Sequence, residues 1–317
     1  MNKEVVTFLR TQRVGVLAVL MPNGKPHAAS LHFAHCEGPF VFFFETQKSY
    51  QKAEPLLAQE KTKASFVVGV DDSNMKTVQL DGTISIITDE EKELFESTYY
   101  TKFPEKMQSK GDAGALFFKF VPDFWKFTDW TRPEGKFVLK SEKTDIYDES
   151  KNKTGEARTL DDVHWYGLRH RTIRLWFVNS KNQVLIQHRN HTSINFPDLW
   201  DSSAGGHIPA GEESLNAALR EAKEELGVSL KESDLHYIGN VEWVMKSNNG
   251  KYSEDEINEI YMVRMDFDFD LENRHKYEIR DLKWIPLSEF KNKVAERSSE
   301  FVPHWEEYEK LIQEIEK

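Results

Sequence analysis

The sequence predicts two domains: a small β barrel over residues 1–134 and a mixed α/β domain over residues 135–317. Three observations support this prediction. The chain has 317 residues, which is long enough for two hydrophobic cores. Short apolar runs separated by turn residues fill the first 130 residues, whereas strand-like and helix-like segments mix after them. Residues 131–153 are polar and rich in turn formers, so we place the boundary near residue 135.

The first domain is expected to consist mainly of strands. An Asn23-Gly24 turn separates the first two apolar runs, and alternation around Gly82 indicates another strand. The predicted strands cover residues 14–20, 28–34, 39–44, 64–70 and 78–87, with a final pair at 114–121 and 124–127. Two helices are expected, at residues 49–61 and 89–100. Many short strands with few helices favour a barrel.

In the second domain, segments with the two-residue periodicity of strands mix with segments that have the 3.6-residue periodicity of helices. Strands are predicted at residues 173–179, 183–188, 235–244, 259–269 and 279–285. Helices are predicted at residues 214–226, 287–297 and 304–314. This mixture predicts an α/β architecture.

Charge and composition restrict the partners. Of the net charge of −11, residues 1–134 carry −2, from 16 basic and 18 acidic residues, and the remainder carries −9. This acidity argues against nucleic-acid binding. We expect no membrane segment and no signal peptide, and the single cysteine, Cys36, fits a reduced, cytoplasmic setting.

The predicted helix at residues 214–226 gathers acidic side chains. Ser214 is expected to cap it and Gly227 to end it. A buried stripe is expected from Leu215, Ala218, Leu219, Ala222 and Leu226. Glu221, Glu224 and Glu225 lie at i, i+3 and i+4, so they are neighbours that repel one another. Such a face is either an ordinary solvated surface or a site for a hard divalent cation shared with substrate phosphates.

The residues before the helix favour the cation site. Gly205, Gly206 and Gly211 allow sharp turns and a close approach to a ligand, and Glu212 could fold back onto Arg220. The complete pattern is Gly206, Glu212, Arg220-Glu221-Ala222, Glu224-Glu225 and Gly227-Val228. This pattern resembles the Nudix box without departure.

The resemblance implies an α/β/α sandwich and hydrolysis of a diphosphate linkage in a nucleoside-diphosphate-type or related substrate. Mg²⁺ or Mn²⁺ is the implied cofactor. Glu221, Glu224 and Glu225 would be metal ligands or the base, and the carbonyl of Gly206 could join them. Arg220 and Glu212 would orient this cluster.

The flanking residues narrow the branch. Residues 145–157, 170–190 and 196–207 resemble the branch that contains type I isopentenyl-diphosphate isomerases and related hydrolases. That likeness implies that His170 and His207 help to bind metal, although histidines that bind nothing are common. Glu254, Glu256 and Glu259 are further acidic candidates, of which Glu259 opens a predicted strand. The isomerases need a cysteine where this chain has Gly205, so we expect a hydrolase.

The first domain resembles the FMN-binding split-barrel family that includes pyridoxamine 5′-phosphate oxidase. The likeness rests on the Asn23–His27 turn, the aromatic strand ending at Thr46, and Lys52. It implies that Thr46, Ser49 and Lys52 contact the flavin phosphate, with His27 and Ser30 as further candidates. It also implies a homodimer through the barrel, with or without bound flavin.

The sequence therefore predicts a magnesium-dependent Nudix hydrolase of a small diphosphate compound, fused to a split barrel. Three alternatives remain. They are a flavin-dependent oxidoreductase with an accessory Nudix domain, a nucleotide-sensing module without turnover, and an isopentenyl-diphosphate isomerase. The specificity loops lie outside the box, so the pattern does not name the substrate.

Overall fold

The computed structural model describes residues 3–59, 61–69, 75–133, 135–191, 193, 195–247, 252–268 and 279–317. It divides into two compact units. The first contains residues 1–142 and 159–165, and the second contains residues 143–158 and 166–317. The sequence places a boundary near residue 135, whereas the first division between the units falls after Glu142. None of the helices in the described part of the chain is long and apolar enough to cross a membrane.

The first unit is the predicted barrel. Its elements are α1 (Lys3–Thr11), β1 (Val14–Leu20), β2 (Pro26–Glu37), β3 (Phe40–Gln47), α2 (Glu54–Ala58), β4 (Lys61–Val68), β5 (Lys76–Ile86), α3 (Lys92–Lys102), β6 (Ala115–Asp129) and β7 (Phe137–Lys140). The sheet order is β3-β2-β1-β4-β5-β6-β7, and β3 also pairs with β6, which closes the barrel. Phenylalanines fill its interior, including Phe33, Phe42, Phe44, Phe66 and Phe120.

Several features of the barrel differ from expectation. Strand β7 was not predicted, and the predicted helix at residues 49–61 is limited to Gln51–Ala53 and α2, with β4 beginning at Lys61. The predicted strand pair at 114–121 and 124–127 is one strand, β6, which continues through Pro122. A register shift between Asp81 and Gly82 accommodates it, because Gly82 lies opposite Pro122 and has no side chain to collide with it. The helix α1 was not predicted; its apolar residues Val5, Phe8 and Leu9 join the barrel core.

The second unit is a three-layer sandwich. In the sequence, the sandwich strands follow a hairpin, β8 (Lys143–Tyr147) and β9 (Lys153–Thr159), of which residues 143–158 belong to the second unit. The helix α4 (Leu160–Tyr166) comes next, and its residues 160–165 belong to the first unit. The sandwich elements are β10 (His170–Val178), β11 (Gln183–Arg189), β12 (Trp200–Asp201), β13 (Ala204–His207), α5 (Ser214–Leu226), β14 (His236–Ser247), β15 (Tyr252–Arg264), β16 (Ile279–Pro286), α6 (Leu287–Ala295) and α7 (Trp305–Ile315). The predicted end of β15, at residue 269, lies outside the described residues.

The central strand β10 separates two cores. It pairs parallel with β15 and antiparallel with β11 and β13. Its residues Ile173, Leu175 and Phe177 pack with the alanines of α5. The alternate residues Trp176 and Val178 pack with α6 and α7. The predicted α/β/α fold is therefore confirmed, with α5 on one face of the sheet and the C-terminal helices on the other.

Candidate functional site

The ends of α5 show how the helix is held. Gly227 follows its last turn with φ of 72°, the left-handed conformation that glycine adopts without strain, as predicted. The expected Ser214 cap is wrong. Glu213 occupies the capping position, and the hydroxyl of Ser214 instead lies 2.7 Å from the phenol oxygen of Tyr261. Ser214 therefore anchors the helix to strand β15.

The buried face of α5 is rotated from the predicted stripe. Leu215 and Leu219 are only partly buried, whereas Glu221 and Glu225 are 8% and 3% exposed. Glu224 is the outer member of the trio, with 58% of its side chain exposed. Two of the three carboxylates therefore face the protein, not the solvent. The solvated-surface alternative does not describe this face, because buried carboxylates need compensating partners.

Glycines make room for these carboxylates. A Cβ added at Gly206 would fall well inside van der Waals contact with the Glu221 carboxylate. The amide of Gly205 donates a hydrogen bond to Glu225 Oε2 at 3.2 Å. The loop of residues 205–212, here called the box loop, therefore contacts the acidic face of α5 directly.

Arg220 links the acidic residues to the box loop. Its Nη1 donates to Glu221 Oε1 at 2.7 Å and to Glu224 Oε2 at 3.2 Å. Its Nη2 donates to Glu212 Oε2 and to the His207 carbonyl, both at 3.2 Å. Although burial opposes it, the Glu221 charge and the Glu212 hydrogen bond raise the pKa of Arg220. The predicted pairing of Glu212 with Arg220 is present in the structure.

A second cluster lies on the opposite face of the sheet. His170, His207 and Glu256 each present a ligand atom, and these atoms lie within 4.8 Å of one another. The two imidazoles stack with centroids 5.3 Å apart. Strand pairing explains the convergence, because His170 lies opposite Glu256, and Thr172 lies opposite His207. No such grouping among the described residues includes Glu221, Glu224 and Glu225.

The tautomer of His170 suits a metal ligand. Its Nδ1 lies 3.0 Å from the Leu168 carbonyl, which can only accept, so Nδ1 carries the hydrogen. The lone pair is then on Nε2, which lies 3.7 Å from Glu256 Oε1. Burial lowers the pKa of His170, so the ring is neutral near pH 7. Neutral imidazole and carboxylate are ligands that divalent metals accept.

The carboxylates on this face are closely packed. Burial, followed by the charge of Glu254, raises the pKa of Glu256. Glu254 itself accepts hydrogen bonds from Trp243 Nε1 at 2.9 Å and from Asn195 Nδ2 at 2.7 Å. The hydrogen bond from its indole nitrogen to Glu254 thus fixes the position of Trp243, a role that the sequence did not indicate.

A buried ion network adjoins this cluster. Arg174 bonds to Asp201 and, at 3.2 Å, to both carboxylate oxygens of Glu307 on α7. Trp176 Nε1 donates to Glu307 at 2.8 Å, and Arg189 Nη1 lies 3.1 Å from Asp201. Although burial opposes it, Arg174 lowers the pKa of Asp201 to about 2. The network fastens the C-terminal helix to the central strand.

Glu259 lies on the α5 face of the sheet. Its carboxylate accepts a hydrogen bond from Arg171 Nη1 at 2.7 Å. Glu259 is the neighbour of Ile173 on β15, and Gly206 is the neighbour of Ile173 on β13. Glu259 and Glu221 therefore share a face but are separated by strand β10.

The residues predicted to bind flavin phosphate lie along β3 and the following turn. Thr46 is 6% exposed, and its hydroxyl has no hydrogen-bond partner in the described part of the protein. Ser49 is exposed, and Lys52 is half-buried in the turn Gln51–Ala53. Burial, with a contribution from the charge of Lys106, lowers the pKa of Lys52. Lys106, 54 positions further along the chain, had no local signal in the sequence.

The two further flavin candidates, His27 and Ser30, lie on β2. His27 is opposite Val19 and Ser30 is opposite Val16 of β1. A shallow groove of about 390 Å³ on the barrel is lined by other residues, including Lys63, Ser65 and Asp81. None of the five predicted flavin residues lines this groove.

Comparisons with known proteins match each half of the chain. The NUDIX domain family model matches residues 168–305, and the pyridoxamine 5′-phosphate oxidase model matches residues 1–129. Nudix hydrolase 3 of Arabidopsis thaliana is 33% identical over 169 residues, which are 52% of this chain and 22% of that protein. An isopentenyl-diphosphate Delta-isomerase of Cereibacter sphaeroides is 30% identical over 142 residues, which are 45% of this chain and 77% of that protein.

A solved structure is also similar to part of this chain. DR0079 from Deinococcus radiodurans is 20% identical, with a TM-score of 0.43, and the match covers 56% of this chain and all of that one. The chain spans less than a quarter of the length of the Arabidopsis relative. The match to the isomerase covers more than two thirds of that relative. The chain thus belongs to the Nudix superfamily through its C-terminal half, and its N-terminal half is a split barrel of the pyridoxamine 5′-phosphate oxidase type.

Proposed function

We propose that the protein is a Mg²⁺- or Mn²⁺-dependent Nudix hydrolase that cleaves the diphosphate linkage of a nucleoside-diphosphate-type or related small molecule. The observation that carries this proposal is the placement of Glu221 and Glu225, two buried carboxylates against a glycine loop. Acids in that position repel one another, and a shared divalent cation offsets the repulsion.

Each residue of the acidic cluster and the box loop has a distinct role in the proposed reaction. Glu221, Glu224 and Glu225, with the Gly206 carbonyl, would hold the cation. Arg220 orients Glu221 and Glu224, and Glu212 holds Arg220 in place. When bound, the metal supplies charge neutralisation at the diphosphate and lowers the pKa of a water molecule. Glu224, the most exposed of the three carboxylates, is best placed to accept a proton from that water.

His170, His207 and Glu256 support a second cation site on the other face of the sheet. Their donor types, mutual distances and the tautomer of His170 fit a divalent metal. In the proposed function this site stabilises the end of β10 next to the box loop. Glu259, which pairs with Arg171, would be a further metal ligand on the α5 face.

Isomerisation of isopentenyl diphosphate is disfavoured by Gly205. It stands where the isomerases carry a catalytic cysteine, and it has no proton to transfer. A Cβ at this position would lie 2.9 Å from the Ile173 carbonyl and 3.4 Å from Arg174 Nη1. The backbone and Arg174 therefore fill the space that a side chain would need.

For the barrel we propose a dimer interface that holds FMN. The family match, the half-buried Lys52 and the unpartnered hydroxyl of Thr46 support this proposal. Purified protein with a yellow absorbance band that bleaches on reduction, and a dimer by light scattering, are the expected results. A colourless protein to which FMN does not bind would refute the flavin part.

The hydrolase proposal is tested with a panel of diphosphate compounds and Mg²⁺. We expect at least one compound to be cleaved by the wild type. Glu224→Gln should lower kcat by more than about 100-fold, since even residues outside the metal's ligands change activity by 10–100-fold. Glu213→Gln is the matched control, because Glu213 is exposed and its side chain makes no capping bond.

Two results would contradict the proposal. Tight binding of a nucleotide without turnover of any compound would favour a sensing module. Equal rates for the wild type and Glu224→Gln would remove the acidic cluster from the reaction.

A further inference from the structure

The hairpin strand β8 forms one border of the box loop. Thr144 Oγ1 donates to the Ile208 carbonyl at 2.8 Å, and the Ala210 amide donates to the Lys143 carbonyl at 2.8 Å. The Gly211 amide donates to Asp145 Oδ2 at 3.0 Å. Three successive residues of β8 therefore hold the loop that precedes the acidic helix.

At the end of β8, Tyr147 packs against Arg171. The Arg171 guanidinium carbon lies 5.2 Å from the centre of the Tyr147 ring. Glu259 holds Nη1 of the same guanidinium at 2.7 Å. Arg171 has the same parity on β10 as Ile173, so it lies on the face that carries Gly206 and Glu221.

This pair contains two unsatisfied donors. Tyr147 is 8% exposed and Arg171 is 16% exposed at its side chain. The Tyr147 hydroxyl and Arg171 Nε are buried, and neither has a hydrogen-bond partner among the residues that the structure describes. A buried donor without a partner destabilises the folded protein, and such groups call for a specific explanation.

The charges nearby indicate what would satisfy these donors. Lys153 of the same hairpin pairs with Asp145 at 2.8 Å. Its charge and that of Arg171 both act on the Tyr147 phenol. Arg171 supplies both a charge and one of the two unsatisfied donors, and Lys153 and Arg171 are each paired with one carboxylate, Asp145 and Glu259. The two remaining donors suit an anion with several acceptor oxygens. A phosphoryl group has this chemistry, and arginine is well suited to bind it.

We propose that Tyr147 and Arg171 form a binding subsite for a phosphoryl group of the substrate, beside the box loop. The subsite would hold one phosphate of the diphosphate, whose other phosphate lies at the acidic cluster. This inference rests on the proposed function, because it assumes that the same compound occupies the α5 face.

The first test is Tyr147→Phe, which removes one oxygen atom. Calorimetric titration with inorganic pyrophosphate and Mg²⁺ should give a Kd about tenfold higher for the variant, the effect of losing a hydrogen bond to a charged group. The thermal midpoint should stay the same or rise, because the variant lacks an unsatisfied buried hydroxyl. A purely structural tyrosine would leave the Kd unchanged.

Arginine geometry is tested separately. Arg171→Met should raise the Kd for pyrophosphate by more than tenfold, and Arg171→Lys should recover part of the loss because it keeps the charge without the planar fork. Arg158→Met is the matched control on the same hairpin. Arg158 is half-exposed and pairs only with Glu156 among the described residues, so its replacement should leave the Kd unchanged.

The outcomes separate this inference from the proposed function. If the wild type cleaves a diphosphate and Tyr147→Phe has the same KM and the same Kd, the subsite is refuted and the hydrolase stands. If the wild type binds pyrophosphate but cleaves nothing, and Tyr147→Phe weakens that binding, the hydrolase is refuted and the subsite stands. If the wild type does not bind pyrophosphate, the subsite is refuted.

Discussion

At the scale of single residues, the site depends on a glycine, which leaves room for an acidic group because it has no side chain. Gly206 has no Cβ, and the Glu221 carboxylate occupies the space where one would be. The Gly205 amide donates to Glu225, a bond that any residue except proline could make. The position of Glu221 thus depends on a glycine at residue 206, which explains why the spacing of the box matters as much as its acidic residues.

Gly206→Ala is therefore expected to reduce activity without unfolding the domain. The new methyl group displaces the Glu221 carboxylate, and rates should fall by about 10–100-fold, as for other changes that misplace a metal ligand. Steady-state kinetics with Mg²⁺ and a circular dichroism spectrum measure the two effects. Asn216→Ala, at an exposed position of α5, should match the wild type in both. Unchanged activity in Gly206→Ala would show that the Glu221 position is not critical.

At the scale of elements, α5 combines a packing face and a binding face. Ala217, Ala218 and Ala222 are fully buried and allow the helix to lie close to β10. Glu221 and Glu225 lie on the same side of the helix, beside this alanine surface. The helix is therefore pressed against the sheet at the place where its carboxylates meet the box loop.

The end of α5 gives an element-scale prediction. Gly227→Ala places a Cβ in a left-handed conformation, with φ of 72°, and should destabilise the second unit by roughly 1 kcal/mol. The thermal midpoint should fall by about 2–4 °C. Lys223→Ala, at an exposed helical position, is the control and should change the midpoint by less. Equal midpoints for Gly227→Ala and the wild type would mean that the helix end relaxes.

Local patterns were sufficient to predict most of the elements. The strands β1 to β6 of the barrel, the acidic helix and both C-terminal helices follow from apolar periodicity and turn residues. The hairpin β8–β9 was missed because the burial pattern of β9 is almost entirely exposed, so it shows no alternation. The Ser214 cap was wrong because Tyr261, 47 positions away, binds the hydroxyl.

The candidate site was predictable from residue spacing only where its residues are close in sequence, whereas His170, His207 and Glu256 were named as candidates without any indication that they meet. The box residues could be read from fixed spacings, and the pairing of Glu212 with Arg220 followed from them. Glu256 lies next to His170 because their strands pair in parallel. Tyr147 contacts Arg171 although strand β9 and helix α4 lie between them in the sequence. Such long-range contacts leave no local pattern, because they depend on the topology of the sheet.

At the scale of the whole molecule, each unit contains a histidine whose pKa lies well below its ordinary value, so that it stays neutral in mild acid. Burial, followed by the charges of Lys102 and Arg10, lowers the pKa of His35 in the barrel to about 4. Burial, followed by Arg174, lowers the pKa of His304 in the second unit to about 3. In each case the unfolded chain binds a proton that the folded protein does not, starting near the ordinary pKa of 6.5.

Both units should therefore lose stability as pH falls from about 6.5, down to about 4 for the barrel and about 3 for the sandwich. His35→Phe should remove the acid-induced loss of stability that comes from the barrel. Neither ring nitrogen of His35 has a partner in the described chain, and Phe33 and Phe42 lie beside the ring. In urea unfolding, the free energy of unfolding of the variant relative to the wild type should be about 1–2 kcal/mol higher at pH 5 than at pH 8. An equal gain at both pH values would contradict this assignment.

The route of the backbone has a practical consequence. The polypeptide changes unit after Glu142, after Arg158 and again after Trp165, so it crosses from one unit to the other three times. A single protease cleavage cannot release both halves with all of their residues. Cleavage after Glu142 takes residues 159–165 away from the barrel, and cleavage after Trp165 removes the β8–β9 hairpin, with Tyr147, from the sandwich. An attempt to express either half alone has to choose which of the two losses to accept.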